Sequence, residues 1–275
     1  MRHNRGCVEA GHSSPRGEEM KVRRYYRLPT THSQSPIILQ SFTSSSIPLL
    51  CIKINEMKFS ACLAIVCVCL FSFKANAQKP AFWNDIQNFK KQDSIKPPPQ
   101  HAVLFVGSSS FTKWTDVQTY FPTHTIINRG FGGSSLPDVI RYADDIIFPY
   151  NPKQVVIYCG ENDFVGSDTV SAQTVVNRVK QLVGMIRSKW HNENVVFISI
   201  KPSPSRKKYW PKMIEANAQI KQFLATQKNT SFVDVFPLML VNDNQAIPEI
   251  FLSDSLHMNA KGYAIWQKVI EPVLK

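Results

Sequence analysis

Four residues of this sequence have the chemistry of acyl transfer, and they lie far apart along the chain. Ser109 sits in Gly107-Ser108-Ser109-Ser110, Asn162 in Gly160-Glu161-Asn162-Asp163, and Asp254 and His257 in Asp254-Ser255-Leu256-His257. A serine hydroxyl is a poor nucleophile until a neighbouring base takes its proton. Histidine suits that task because its ordinary pKa lies near neutrality. A carboxylate on the other ring nitrogen fixes the tautomer and stabilises the imidazolium that forms. Asp254 and His257 are three residues apart, so a turn can bring both side chains to one side. The oxyanion that develops also needs donors aimed at it in advance. The amide of Asn162 and the backbone N–H groups of Ser109 and Gly133 are the candidates. Gly133 belongs to a fourth cluster, Asn128-Arg129-Gly130-Phe131-Gly132-Gly133-Ser134.

Each residue also has an ordinary reading. Ser109 alone is a turn serine, with Ser108 and Ser110 beside it as rivals for the nucleophile. Gly130, Gly132 and Gly133 could be plain turn glycines; a dinucleotide loop is disfavoured, because the third spaced glycine and the following acidic residue are missing. Asn162 and Asp163 could cap the next segment, and Asp254 could be an N-cap-like residue ahead of Asn259. Arg129 and Arg206 could meet an anionic substrate group, although packing or exposure is the plainer role for each. His101, His124 and His191 are scattered without metal-ligand spacing, so no metal and no cofactor are assigned. Cys159 reads as a buried strand-end residue.

These clusters need a frame that brings them together. Short apolar runs rich in Val, Ile and Phe cover 102–106, 124–127, 154–158, 195–200 and 232–235, the pattern of strands buried on both faces. Amphipathic stretches of helix length alternate with them, over 136–148, 172–190, 210–227 and 259–274. Such alternation predicts right-handed βαβ units and a parallel sheet covered by helices. The expectation is an α/β fold: a flavodoxin-like, doubly wound, five-stranded parallel sheet in a three-layer αβα sandwich. Ligands of open α/β sheets bind beyond the carboxyl ends of the strands. Every polar or Gly-rich cluster named above follows a predicted strand, as does 201–206.

Taken together, the four blocks resemble those of the SGNH hydrolases, the superfamily of GDSL-like lipases and esterases. Gly107-Ser108-Ser109-Ser110 stands in place of Gly-Asp-Ser-Leu, which by position makes Ser109 the nucleophile. The resemblance implies an oxyanion hole of Ser109, Gly133 and Asn162, and a Ser109–His257–Asp254 triad. It spans 102–275. Ser108 and Ser110 depart from the name-giving motif, at positions that supply no chemistry, so substrate preference does not carry over. The Ser, Asp, His order also occurs in α/β-hydrolases, but no Gly-x-Ser-x-Gly elbow is present.

Composition bounds the rest. Of 275 residues 43% are hydrophobic, with 11 Gly and 18 Pro, which marks a globular chain rather than a disordered or fibrous one. The formal charge of +12 divides evenly: residues 1–77 hold 10 Lys and Arg against 4 Asp and Glu, and residues 78–275 hold 22 against 16. No basic helix or aromatic-interleaved stripe accompanies that excess, so nucleic acid is not an expected partner. Met57-Lys58, an uncharged run over 59–73, and Ala75-Asn76-Ala77 have the layout of a secretory signal peptide cleaved near Ala77-Gln78. The run is 15 residues long, short of the ~20 that span a bilayer, so no stable membrane anchor is expected. Residues 1–56, rich in Ser, Thr and Arg, read as a spurious or disordered extension upstream of the signal at 57–77. A helical lead-in over 81–96 and a Pro-rich linker make up 78–100, followed by one hydrolase domain over 101–275. Cys159 is the only cysteine after the signal, so that domain must hold together by its core without an internal disulfide.

The sequence thus points to a secreted or periplasmic ester hydrolase acting on an acetylated glycan or lipid ester. One alternative is a catalytically inactive carbohydrate- or lipid-binding protein of the same fold. A flavodoxin-like nucleotide binder is the other.

Overall fold

The computed structural model describes residues 79–275; the expected signal peptide at 57–77 and the extension before it lie outside the described residues. The apolar runs form five parallel strands: β1 (Val103–Gly107), β2 (Ile126–Gly130), β3 (Gln154–Tyr158), β4 (Asn194–Ile198) and β5 (Thr230–Val233). Their order in the sheet is β2-β1-β3-β4-β5. The fold is the expected α/β three-layer sandwich. Every residue of β1 and β3 is buried, which is why their sequences are continuous apolar runs rather than alternations.

Two layers of helix cover the sheet. On one side lie α4 (Leu136–Arg141), α5 (Ala143–Ile146), α7 (Ala172–Lys189) and α8 (Trp210–Ala225), as right-handed crossovers from β2 through β5 require, and α1 (Trp83–Ile95) packs against α5. The other side carries α2 (Ser109–Thr112), α3 (Val117–Tyr120) and the C-terminal α9 (Ala260–Ile270). There Trp266 of α9 meets Phe111 edge-on at 6.3 Å, and Tyr263 stacks on Trp114 at 4.6 Å. Trp266 is fully buried, and truncating such a side chain to Ala costs about 3–5 kcal/mol.

The helix ends follow their capping chemistry. Ser171 caps α7 by accepting the N–H of Thr174, and Asn259 caps α9 by accepting those of Lys261 and Gly262. The cap of α9 is therefore Asn259, which leaves Asp254 for another role.

The differences from the sequence reading are local. The amphipathic stretch over 136–148 is two short helices, α4 and α5, and a 3-10 turn over Phe148–Tyr150, because Tyr142 leaves helical geometry. Asn128, Arg129 and Gly130 are the last residues of β2 rather than a loop after it. A small hairpin of β6 (Leu240–Asn242) and β7 (Gln245–Ala246), which no apolar run announces, follows β5. The lead-in helix α1 packs on the domain: Phe82 meets Phe131 edge-on at 5.2 Å, and Asp93 accepts hydrogen bonds from Arg129 and Tyr150.

Candidate active site

β1, β2 and β3 end at one level, with Gly107 paired to Gly130 on one side and Tyr158 on the other. The turn after β1 is tight. Gly107 has φ +144°, and a Cβ there would lie 1.9 Å from the carbonyl oxygen of Tyr158, so no other residue fits. The chain turns at once into α2, whose first residue is Ser109. Of the three serines, Ser108 and Ser110 are buried, at 3% and 1% exposure, whereas Ser109 is partly exposed. The backbone N–H of Ser109 opens the helix and makes no hydrogen bond among the described residues.

Ser134 ties three of the predicted clusters together. Its Oγ donates to the carbonyl of Gly107 at 3.2 Å, and its own carbonyl accepts Nδ2 of Asn162 at 3.0 Å. The N–H of Phe131 reaches the same Gly107 carbonyl at 2.9 Å. Asn162 spends one Nδ2 hydrogen on Ser134 and keeps the other. Gly133, between Phe131 and Ser134, adopts φ +84° in open surroundings, and its N–H makes no hydrogen bond among the described residues. The positive φ is the reason for glycine here, and it leaves that N–H uncommitted.

Asp254 and His257 are brought together. Ser255 turns the chain with φ +54°. Oδ1 of Asp254 accepts the backbone N–H groups of Leu256 and His257, both at 2.9 Å, and Oδ2 lies 2.6 Å from Nδ1 of His257. The hydrogen bond from the imidazole, reinforced by the backbone N–H of His257, holds this carboxyl well below the usual carboxylate range. Nε2 of His257 makes no hydrogen bond among the described residues. The turn is anchored to the segment after β4, where the N–H of Ser205 donates to Ser255 O at 3.0 Å. Helix α9, which follows the turn, is fastened to the Ser109 segment, since Tyr263 donates to Ser110 O at 2.9 Å. No hydrogen bond joins Ser109 to His257 among the described residues.

Other residues of the same blocks are structural. Asn128 accepts the N–H of Gly130 and donates to Phe111 O. Asp163 is buried; it accepts the N–H of Leu136 at 2.9 Å and Nη1 of Arg178 at 2.7 Å. Burial pushes its carboxyl pKa up, against the pull of those two donors. Arg129 packs between the rings of Phe89 and Tyr150 and pairs with Asp93, so it serves packing rather than an anionic substrate. Cys159 is buried, and burial pushes its thiol up.

Hollows flank the site: one of about 210 Å³ between Ser135, Asn162 and Ser167, and one of about 280 Å³ between Lys207, Phe251 and Ser255. Among the described residues no three metal-ligating side chains gather, and no helix is long and apolar enough to cross a membrane.

Sequence reasoning missed Ser134 as the residue that fastens these loops. A serine has no pattern of its own, and only the fold shows what its hydroxyl reaches.

Known proteins share this frame. A family model described as GDSL-like Lipase/Acylhydrolase matches residues 105–265. No curated protein sequence matches significantly. Among solved structures, a candidate platelet activating factor from Streptococcus pneumonia is 18% identical with a TM-score of 0.61, over 79% of this chain and 100% of the other. A candidate acylhydrolase of Bacteroides fragilis is 22% identical with a TM-score of 0.60, over 69% and 95%. A GDSL-like lipase of Bacteroides thetaiotaomicron is 20% identical with a TM-score of 0.60, over 68% and 95%. At these identities the likeness is one of fold. The family match covers more than half of the chain and all four sequence blocks, and on that ground the chain belongs to the GDSL-like lipase/acylhydrolase family, hydrolases of ester bonds.

Proposed function

We propose that this protein hydrolyses esters through Ser109, His257 and Asp254 by way of a covalent acyl-enzyme, on an extracytoplasmic substrate such as an acetylated glycan or a lipid ester. The observation that carries the reading is the Asp254–His257 pair, poised at the carboxyl edge of a sheet where Ser109 is the one accessible serine of its turn. With Nδ1–H donating to Asp254, the lone pair of Nε2 is free to take a proton. Nε2 removes the proton of Ser109 as Oγ attacks the ester carbonyl. The tetrahedral oxyanion is met by the N–H groups of Ser109 and Gly133 and by the second Nδ2 hydrogen of Asn162. The imidazolium then gives its proton to the leaving alcohol, and the acyl group stays on Oγ. Water, deprotonated by Nε2, attacks the acyl-enzyme, and the acid leaves as Ser109 regains its proton. Catalytic hydrogen bonds in ligand-free sites are often long and tighten with substrate, so the lack of a Ser109–His257 hydrogen bond among the described residues is compatible with this role.

The setting outside the cytoplasm rests on the signal-like segment at 57–77. A fluorophosphonate probe tests the core of the reading: it should label Ser109 of the wild type and leave Ser109→Ala unlabelled. Absence of labelling at Ser109 would favour a non-catalytic binding protein of the same fold.

A further inference from the structure

The acyl-transfer scheme leaves one group of buried ionisable side chains without a task. Lys201, just beyond β4, is 1% exposed, and Glu161, the first residue of α6 (Glu161–Val165), is 4% exposed. Nζ of Lys201 lies 2.6 Å from Oε2 of Glu161 and donates to Oγ of Ser203 at 2.6 Å. Tyr158 at the end of β3 donates to the same Oε2 at 3.0 Å.

This network is a poor device for stability alone. Burying an ion pair costs desolvation that the mutual attraction only partly returns, and apolar replacements of such pairs are often neutral or stabilising. The cost is greater here, because among the described residues no hydrogen-bond partner meets the buried Oε1 of Glu161. What the network does have is placement. Glu161 directly precedes Asn162, the oxyanion donor of the proposed reaction. Ser203, at the other end, reaches Leu256 O at 3.5 Å, and Leu256 lies between Asp254 and His257. Trp210 holds the carbonyl of Ser203 at 3.1 Å, so the hydroxyl has a fixed base. One cation therefore joins the segment that carries the oxyanion amide to the turn that carries the imidazole, across the β3–β4 edge.

Resting on the proposed acyl-transfer reading, we propose that Lys201 and Glu161 are positioning residues, which set the spacing between Asn162 and His257 through Ser203. They touch no reacting atom. Errors of about 1 Å in such spacing can cost 10²-fold in rate, so the pair should act on kcat rather than on substrate affinity.

The test uses the purified full chain as wild type, Lys201→Met, Glu161→Gln/Lys201→Met and Ser203→Ala. It reads kcat and KM on a short-chain p-nitrophenyl ester, together with the thermal midpoint. Lys201→Met strands a buried carboxylate, so it should lose both stability and activity. The double variant removes the stranded charge and should recover its thermal midpoint, yet keep a kcat loss of roughly 10- to 100-fold with KM little changed. Ser203→Ala should lower kcat in the same direction without stranding any charge, and it decides the matter if the Lys201 variants do not fold. A double variant whose kcat is within about twofold of wild type, a loss confined to KM, or an unchanged Ser203→Ala would each overturn the proposal. Failure of the underlying reading would look different: the wild type would not be labelled by fluorophosphonate at Ser109, or Ser109→Ala would keep its turnover, and both ideas would then fall.

Discussion

Nδ1 of His257 lies 2.6 Å from Oδ2 of Asp254, and both oxygens of that carboxylate are already committed, one to the ring and the other to two backbone N–H groups. The carboxylate cannot rotate without giving up a bond, so the ring it holds is fixed in tautomer and direction. Asp254→Asn keeps an oxygen for the backbone donors but turns an N–H toward Nδ1, which forces the proton onto Nε2 and removes the base. Turnover should fall by about 10⁴-fold with the fold intact; steady-state ester hydrolysis with circular dichroism checks both halves.

The same contact fixes a sign for acid stability. Because the carboxyl of Asp254 is held well below its unfolded value, it contributes stability that is present above the ordinary carboxylate range and lost as the pH falls through the lower folded value. The side chain is 47% exposed, so solvent screens the effect. Thermal melts should show Asp254→Asn less stable than wild type at pH 7 and the gap closing towards pH 2. A gap that widens in acid would contradict the assignment.

Ser109 is set apart from Ser108 and Ser110 by access rather than by type. Ser109→Ala should lower kcat by about 10⁴-fold or more, while Ser108→Ala and Ser110→Ala keep turnover within an order of magnitude of wild type. Comparable losses in all three would mean that the turn, and not one hydroxyl, is what activity needs.

Asn162→Ala removes the amide that faces the proposed oxyanion and its bond to Ser134. A loss of about 10²–10³-fold in kcat, worth ~2.7–4 kcal/mol, is expected. A change in KM alone would place Asn162 in substrate binding instead.

Gly107 separates folding from chemistry. Alanine there drives a Cβ to within 1.9 Å of the Tyr158 carbonyl, backbone against backbone, with no side chain able to give way. Gly107→Ala should destabilise the domain by roughly 3–5 kcal/mol, measurable by urea unfolding. Asp163→Ala should cost about 2–3 kcal/mol, by leaving Arg178 and the N–H of Leu136 without their acceptor.

Much of this was legible in the amino-acid order. Five runs of Val, Ile and Phe announce strands; β1 and β3 are buried throughout, as a parallel sheet covered on both faces requires, whereas β2 and β5 at the sheet edges are only partly buried. The clusters at their ends point to one edge, because strands that run the same way end on the same side. Short-range geometry was legible too: three residues separate Asp254 from His257, and a single turn closes that gap. Ends of elements were harder to place. Asn128 to Gly130 has the composition of a loop, yet pairs with β1 because the neighbouring strand offers partners for its backbone. Which of three adjacent serines faces solvent, that Ser134 ties Gly107 to Asn162, and that Lys201 lies buried against Glu161 were decided by the tertiary structure alone. Those facts depend on residues from different strands meeting in space, and a hydroxyl or an ammonium group in a sequence carries no mark of the partner that the fold will bring to it.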